Sequence, residues 1–200
     1  MKLYYLPGAC SLAPHIIANE LGTAFTAVKV DRHTKQTDDG ENYMDINAKG
    51  YVPALKLDNG TVITEAQVVL QFLADQAPER GLAPEAGTPE RYKLQEWLSF
   101  VSTELHKNIG SMFNPKQTPE WRAMATEVLD KRLGWLEKQL QGREYVLDQF
   151  SVADAYLFTV LNWTGRVNFK LDAWPTVQAY HQRLSQRPSV LKTLKDEGLI

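Results

Sequence analysis

At residues 77–91 the sequence reads APERGLAPEAGTPER, and the hydrophobic period of the chain changes there for good. Three prolines and two glycines interrupt helix and strand alike, the prolines by removing N–H donors and the glycines by freeing the backbone. Upstream, short β-like runs alternate with helical spacing; downstream, helical spacing stands almost alone. A chain divided in this way folds as two modules, and 200 residues suffice to give each a core. The expected organisation is an α/β domain over residues 1–77, a linker over 78–88 and an all-α domain over 89–200.

The first module can be read in more detail. Residues 2–6 form a β-like run. Residues 11–21 carry Leu12, Ile16, Ile17 and Leu21 at helical spacing and stop at Gly22. A second strand is expected over 25–30, followed by a polar stretch, 31–42, with too few apolar residues to assign. The segment YVPALKLDNGTVIT then predicts a hairpin, with strands at 54–57 and 61–63 around Asp58-Asn59-Gly60. Residues 65–77 close the module as an amphipathic helix presenting Val68, Val69, Phe72 and Leu73. The order is β-α-β and then β-β-α, which is that of thioredoxin-like folds.

In the second module Leu94, Leu98, Val101, Leu105, Ile109 and Met112 recur at helical spacing, as do Trp121, Met124, Val128, Leu129, Leu133, Leu136 and Leu140. Further helices are expected over 152–168 and 175–186. In FSVADAY, Ser151 and Asp154 have the spacing of a capping box, a folding signal. Trp121, Trp135, Trp163 and Trp174 fall mostly in these apolar runs and are expected to pack in the core or between domains.

Composition narrows the function classes. With 44% apolar and 23% charged residues the chain has an ordinary globular balance. A net charge of −2 and the lack of a dense Lys/Arg stripe argue against nucleic acid or an anionic membrane as partner. No apolar run approaches the ~20 residues that span a bilayer, and the run over residues 1–6 is too short for a signal sequence. The one cysteine, Cys10, with no export signal, points to a reducing compartment, the cytosol.

Cys10 lies in LPGACSLAPH, behind a Pro-Gly turn and at the start of the first expected helix. Unpaired N–H groups and the helix dipole there favour a thiolate, lowering the thiol pKa below the ~8.5 of free cysteine. The motif Cys-x-x-Cys is absent, because residue 13 is Ala and residue 7 is Pro, so a dithiol mechanism is excluded. By position alone Cys10 is either a core filler or a reactive thiol.

Three other stretches carry chemistry of their own. In GYVPAL, Val52 precedes Pro53 and is biased to extended backbone; a cis bond there would turn its N–H and C=O outward for strand-like pairing. In TEA, Glu65 either favours a helix N-terminus or binds an ammonium beside N–H groups that suit a carboxylate. Along EWLSFVSTELHKNIG, Ser99, Thr103, His106 and Gly110 form a polar stripe, followed by Lys107, which is either a solvated face or the wall of a cleft against the first domain. His15, His33 and His181 have no metal-ligand spacing, so no metal is expected.

Four stretches taken together and in order resemble the glutathione S-transferases, most closely the bacterial beta class: MKLYYLPGACSLAPHI, NAKGYVPALKLDNGTVITE, YKLQEWLSFVSTELHK and FSVADAYLFTVL. The resemblance implies a thioredoxin-like domain followed by an all-helical one. It also implies a cytoplasmic homodimer that conjugates glutathione, as co-substrate, to a hydrophobic electrophile. It makes Cys10 the cysteine that faces glutathione and can form a mixed disulfide with it, with Ser11 and His106 in support. Lys35 then meets the glycine carboxylate and Val52 pairs with the cysteinyl part, ahead of a cis-proline at Pro53. Glu65 and Ala66 meet the γ-glutamyl end, and Ser99 and Thr103 share a wall with His106. Ala66 stands where many relatives have Ser, and Ser99 where Asn is expected. Tyr4 and Tyr5 match the tyrosine that other classes use on the thiol, but in this class the role falls to Cys10. Phe113, Trp163 and Arg166 are the expected contributors to an electrophile pocket. A non-catalytic binding module, or a glutathione-dependent dehalogenase, would use the same residues.

Overall fold

Period-two alternation in the first strand creates a sheet with two different apolar faces. Strand β1 (Lys2–Tyr5) pairs in parallel with β2 (Thr26–Lys29) and antiparallel with β3 (Ala54–Lys56), which pairs antiparallel with β4 (Val62–Thr64); the order is β2-β1-β3-β4. Tyr4 lies in register with Val28 and Ala54, and these three join Val30, Tyr43 and Val52 in one buried cluster. Leu3, in register with Ala27 and Leu55, belongs to the opposite face. The parallel β1–β2 pair requires a crossover, which helix α1 (Leu12–Leu21) supplies. Helix α3 (Ala66–Asp75) packs on α1 and buries Val69, Leu70 and Leu73.

The structure is a computed structural model that describes residues 1–200. Two units emerge, Met1–Gly81 together with Arg187–Ile200, and Leu82–Gln186. The first has the expected thioredoxin-like order with each expected element present, the second hairpin strand shifted by one residue and the others shortened by one to three. The unassigned stretch 31–42 folds through local polar bonds. Asp31 Oδ1 accepts from the N–H groups of His33 and Thr34 at 2.8 and 2.7 Å, and isolated bridges join Val30 to Thr37 and Gln36 to Asn42. Asn42 then caps the short helix α2 (Tyr43–Ile46).

The closing segment differs from expectation. Residues 187–200, read from sequence as part of the helical domain, group with the first unit. They contain a helix, Pro188–Asp196, that packs on α1. Arg187 forks onto the Glu20 carboxylate with contacts of 2.9 and 2.6 Å, and Glu197 bonds to Gly8 and His15. These ion pairs and hydrogen bonds join residues nearly the whole chain apart, which helical periodicity cannot reveal.

The second unit is helical throughout: α4 (Pro89–Phe100), a π-helical stretch (Val101–His106), α5 (Lys107–Ser111), α6 (Pro119–Leu140), α7 (Val152–Leu161) and α8 (Pro175–Ser185). The closing helix Pro188–Asp196 of the first unit is α9. The stripe from Leu94 to Met112 is buried as its spacing implies. Helix α6 departs from the expectation at its start, where Trp121 and Met124 are 43% and 69% exposed, and Trp135 is also exposed; Leu129, Leu133, Leu136 and Leu140 carry the core face. The expected helix over 152–168 ends at Leu161 and continues as a 3₁₀ turn, Thr164–Val167.

Helix α7 is buried at every residue, including Asp154. The capping box is present, and the Asp154 carboxylate reaches further than a cap needs. It accepts from Ser151 N and Oγ, both at 2.9 Å, from Val146 N at 2.9 Å and from Tyr180 Oη at 2.7 Å. Burial pushes its pKa up, against the pull of these four donors. Asp154→Ala orphans all four and is expected to destabilise the protein by ~3–5 kcal/mol, read as a lower urea midpoint.

His181 is the opposite case. Its ring stacks on Phe158 at 5.0 Å, Nε2 has no hydrogen-bond partner, and burial lowers its pKa to about 4. The folded protein holds this ring neutral while the unfolded chain protonates it near pH 6.5, so its contribution is intact above pH 6.5 and is lost as pH falls towards 4. The loss approaches about 3 kcal/mol. His181→Phe keeps the stacked ring and is expected to remove that part of the slope in denaturant midpoints measured from pH 7 to 4.

Candidate active site

Residues 47–53 of the first unit reach most of the sequence-predicted groups. The segment is pinned at the Tyr51 carbonyl, which accepts from Tyr43 Oη and Asn47 Nδ2, both at 2.7 Å. Burial pushes the Tyr43 pKa up to about 12, so that hydroxyl is a neutral donor. On one side of the pinned carbonyl, Gly50 O accepts from Lys35 Nζ at 3.1 Å. On the other, Val52 O accepts from the Cys10 thiol, Sγ to O 3.1 Å. Lys49 Nζ bonds to Thr64 Oγ1 at 2.8 Å and pairs with the Glu65 carboxylate. The Val52–Pro53 bond is cis. Cys10, Lys35, Val52, Pro53 and Glu65 are thus one connected neighbourhood, with Ala66 following Glu65 as the first residue of α3.

The loop that carries Cys10 is held from inside. Ser11 is fully buried, and its Oγ accepts from Leu6 N at 3.2 Å and donates to Leu6 O at 3.3 Å. Its hydroxyl therefore closes the 6–11 loop rather than capping α1. Gly8 N donates to Glu197 Oε2 at 2.8 Å, and His15 Nδ1 meets Glu197 Oε1 at 2.8 Å. Cys10 itself is half-buried and free of any disulfide. Tyr4 is buried with its hydroxyl donating to Glu41, and Tyr5 packs on the His15 ring at 5.5 Å.

Lys35 and Glu65 share a backbone property. Both have positive φ, 58° and 71°, which among non-glycine residues recurs here only at Asn168. The Lys35 conformation is held by its N–H on Asp31 O at 3.1 Å and by its carbonyl, which accepts from Tyr43 N at 2.8 Å. Glu65 sits at the N-cap of α3, where its carbonyl begins the helix by accepting from Val69 N at 2.9 Å.

In the second unit the polar stripe resolves into separate roles. Ser99 and Thr103 are exposed, and Thr103 Oγ1 donates to the Ser99 carbonyl at 2.9 Å. His106, half-buried at the end of the π-helical stretch, meets Tyr156 Oη through Nδ1 at 2.7 Å. Its ring packs edge-on against Trp163 at 4.7 Å, and Phe113 packs on Trp163 from 6.1 Å. Arg166 is exposed on the 3₁₀ turn that follows Trp163. No group of three or more His, Cys, Asp or Glu is placed to hold a metal ion.

Two family profiles match the chain, described as "Glutathione S-transferase, N-terminal domain" over residues 8–76 and "Glutathione S-transferase, C-terminal domain" over 100–188. The chain is 42% identical over 200 residues to "Glutathione S-transferase GstA" of Escherichia coli O157:H7, covering 100% of both. The chain belongs to the glutathione S-transferase family. Among solved structures, a glutathione transferase from Methylococcus capsulatus superposes with a TM-score of 0.97 at 49% identity, covering 100% of this chain and 99% of that one. A sphingomonad glutathione S-transferase complexed with glutathione superposes at 0.95 and 44% identity, covering 100% of both chains.

Within this glutathione S-transferase, sequence reasoning passed over Lys49, Tyr43, Tyr156 and Glu197. Lys49 had a legible signal, since Asn47-Ala48-Lys49-Gly50 is a turn sequence: Asn47 Oδ1 accepts from Lys49 N at 3.2 Å and Gly50 has φ +67°. Gly50 also has little room, because an added Cβ would meet Met44 Sδ at 3.1 Å and Lys35 Cε at 3.8 Å. Gly50→Ala is therefore expected to cost about 1–2 kcal/mol through the left-handed backbone and to push the Met44 side chain aside. A lower denaturant midpoint checks the cost.

Proposed function

We propose that this enzyme binds glutathione on the first unit and transfers its thiolate to a hydrophobic electrophile, with Cys10, Ser11 and His106 in the catalytic machinery. The observation that carries the reading is the pinned 47–53 segment, whose carbonyls and lysine meet Cys10, Lys35 and Glu65. Glutathione carries two carboxylates, one ammonium and a thiol. Lys35 answers the glycine carboxylate, Glu65 the γ-glutamyl ammonium, and the N–H of Ala66 at the start of α3 the γ-glutamyl carboxylate. Main-chain groups of Val52, beside Pro53, pair with the cysteinyl part, and Cys10 faces its sulfur. Ser11 acts by holding the loop that presents Cys10. In the helical unit, Ser99, Thr103 and His106 complete the polar wall, while Phe113, Trp163 and Arg166 receive the electrophile.

In conjugation the glutathione thiol loses its proton to water, and the thiolate forms a carbon–sulfur bond while the leaving group departs with its electron pair. Cys10 adds a second reaction. Its thiolate attacks the glutathionyl sulfur of a mixed disulfide, forming Cys10–S–S–glutathione and releasing the other thiolate. A second glutathione thiolate then frees Cys10 and leaves as glutathione disulfide. A cytoplasmic homodimer without nucleic-acid or membrane partners belongs to the same reading. Cys10→Ala tests it with two assays, aryl-halide conjugation and deglutathionylation. Deglutathionylation is expected to vanish and conjugation to fall severalfold. Wild-type rates in both assays would remove the cysteine from catalysis, and loss of retention on immobilised glutathione in the wild-type protein would remove glutathione.

A further inference from the structure

The His106–Tyr156 pair has a feature that binding glutathione does not require. The two side chains come from different helical segments of one unit, fifty positions apart, and meet at 2.7 Å between Nδ1 and Oη. Tyr156 lies on α7, the helix of the unit that is buried along its whole length. His106 ends the π-helical stretch Val101–His106, a widened turn of the sort that recurs at functional sites. Two side chains donate to main-chain carbonyls along that stretch, Thr103 Oγ1 to Ser99 O at 2.9 Å and Asn108 Nδ2 to Glu104 O at 2.6 Å. The imidazole is then fixed in rotation by aromatic edges, Trp163 at 4.7 Å and 77° and Tyr156 at 5.9 Å and 85°.

Such a fixed ring has a chemical consequence. Of the two groups, the phenol is the stronger acid and the imidazole nitrogen the stronger base, so the favoured bond is O–H to Nδ1. An imidazole that accepts at Nδ1 carries its proton on Nε2 when neutral. We propose that Tyr156 is a positioning residue that locks His106 in the Nε2–H tautomer, making the ring a hydrogen-bond donor to anionic sulfur at neutral pH without becoming charged. The inference rests on the reading above in which His106 serves the glutathione thiolate. A preset N–H donor stabilises the thiolate in the ground state and stays paired as charge leaves the sulfur for the electrophile, so its benefit is read in thiol ionisation and turnover together.

The test combines spectroscopy with kinetics on the full-length enzyme. Nitrogen-15 correlation spectra distinguish the two imidazole tautomers, and His106→Gln assigns the signals among four histidines. In the wild-type protein the His106 proton is expected on Nε2; a proton on Nδ1 overturns the proposal. Tyr156→Phe keeps the ring and its edge contact while removing the hydroxyl. It is expected to shift the His106 signals towards a mixture of tautomers, to lower kcat for aryl-halide conjugation about fivefold, and to move the alkaline shift of the pH–rate profile upward, with KM for the electrophile little changed. Unmoved His106 signals in this variant overturn the proposal, as does an equal loss when Tyr156→Phe is added to His106→Gln. Wild-type turnover in His106→Gln alone would instead remove His106 from the reaction, while the tautomer measurement still decides what Tyr156 does to it.

Discussion

The Tyr51 carbonyl, held by Tyr43 Oη and Asn47 Nδ2, is the contact on which the first unit's chemistry depends. Each neutral hydrogen bond contributes only ~1 kcal/mol to stability, but the two together fix the peptide whose neighbours hold Lys35 and Cys10. Tyr43 is at once the donor and a member of the buried cluster formed by Tyr4, Val28, Val30, Val52 and Ala54. One face of the sheet and the candidate site therefore share a side chain. Packing on that face sets where Tyr43 stands, and Tyr43 sets where the 47–53 segment stands.

A second constraint comes from the end of the chain. The Glu197 side chain is wholly buried, and a carboxylate in that position requires partners. It has them in Gly8 N–H and the His15 ring, one in the loop that leads to Cys10 and the other on α1. The first unit is consequently discontinuous in sequence, and residues 1–81 alone would lack the carboxylate that Gly8 and His15 share. Ser11 works on the same loop from the other side through Leu6. The loop that carries Cys10 is thus held by two buried side chains, Glu197 and Ser11.

Much of this organisation was legible in the sequence, and the illegible parts have a common physical cause. Strands and helices with strong periodicity, such as the Leu94 to Met112 stripe and the hairpin around Asn59, are local patterns that the chain writes directly. The fold of residues 31–42 is written in Asp31, Thr37 and Asn42 side-chain bonds, which leave no hydrophobic period. Helix α9 had a signal, with Pro188 at its start and Gly198 after its end, but its allegiance to α1 depends on Glu20, Asn19 and His15, far away in sequence. Trp121 and Trp135 were expected in the core or between domains because they fall in an apolar periodic run, yet an amphipathic helix of 22 residues has an outer face that an aromatic can occupy. Among the candidate site residues, Cys10, Val52 and Glu65 were singled out by motif and Lys35 only by the family resemblance, whereas Lys49 and Tyr156 meet neighbours that no spacing rule connects.

Backbone strain offers an independent reading of where function resides. A non-glycine residue in the left-handed region costs about 1–2 kcal/mol, and such residues persist only where the surroundings overdetermine them. Two of the three found here are Lys35 and Glu65, which belong to different loops and carry opposite charges. Lys35 is held by main-chain bonds to Asp31 and Tyr43, and Glu65 by a side-chain ion pair with Lys49 and by main-chain bonds from its carbonyl to the first turn of α3. Their strain is therefore sustained by the folded scaffold itself. A cation and an anion are set in place at that cost, and on the proposed reading the ordering that a flexible site would leave to the moment of binding is completed when the chain folds.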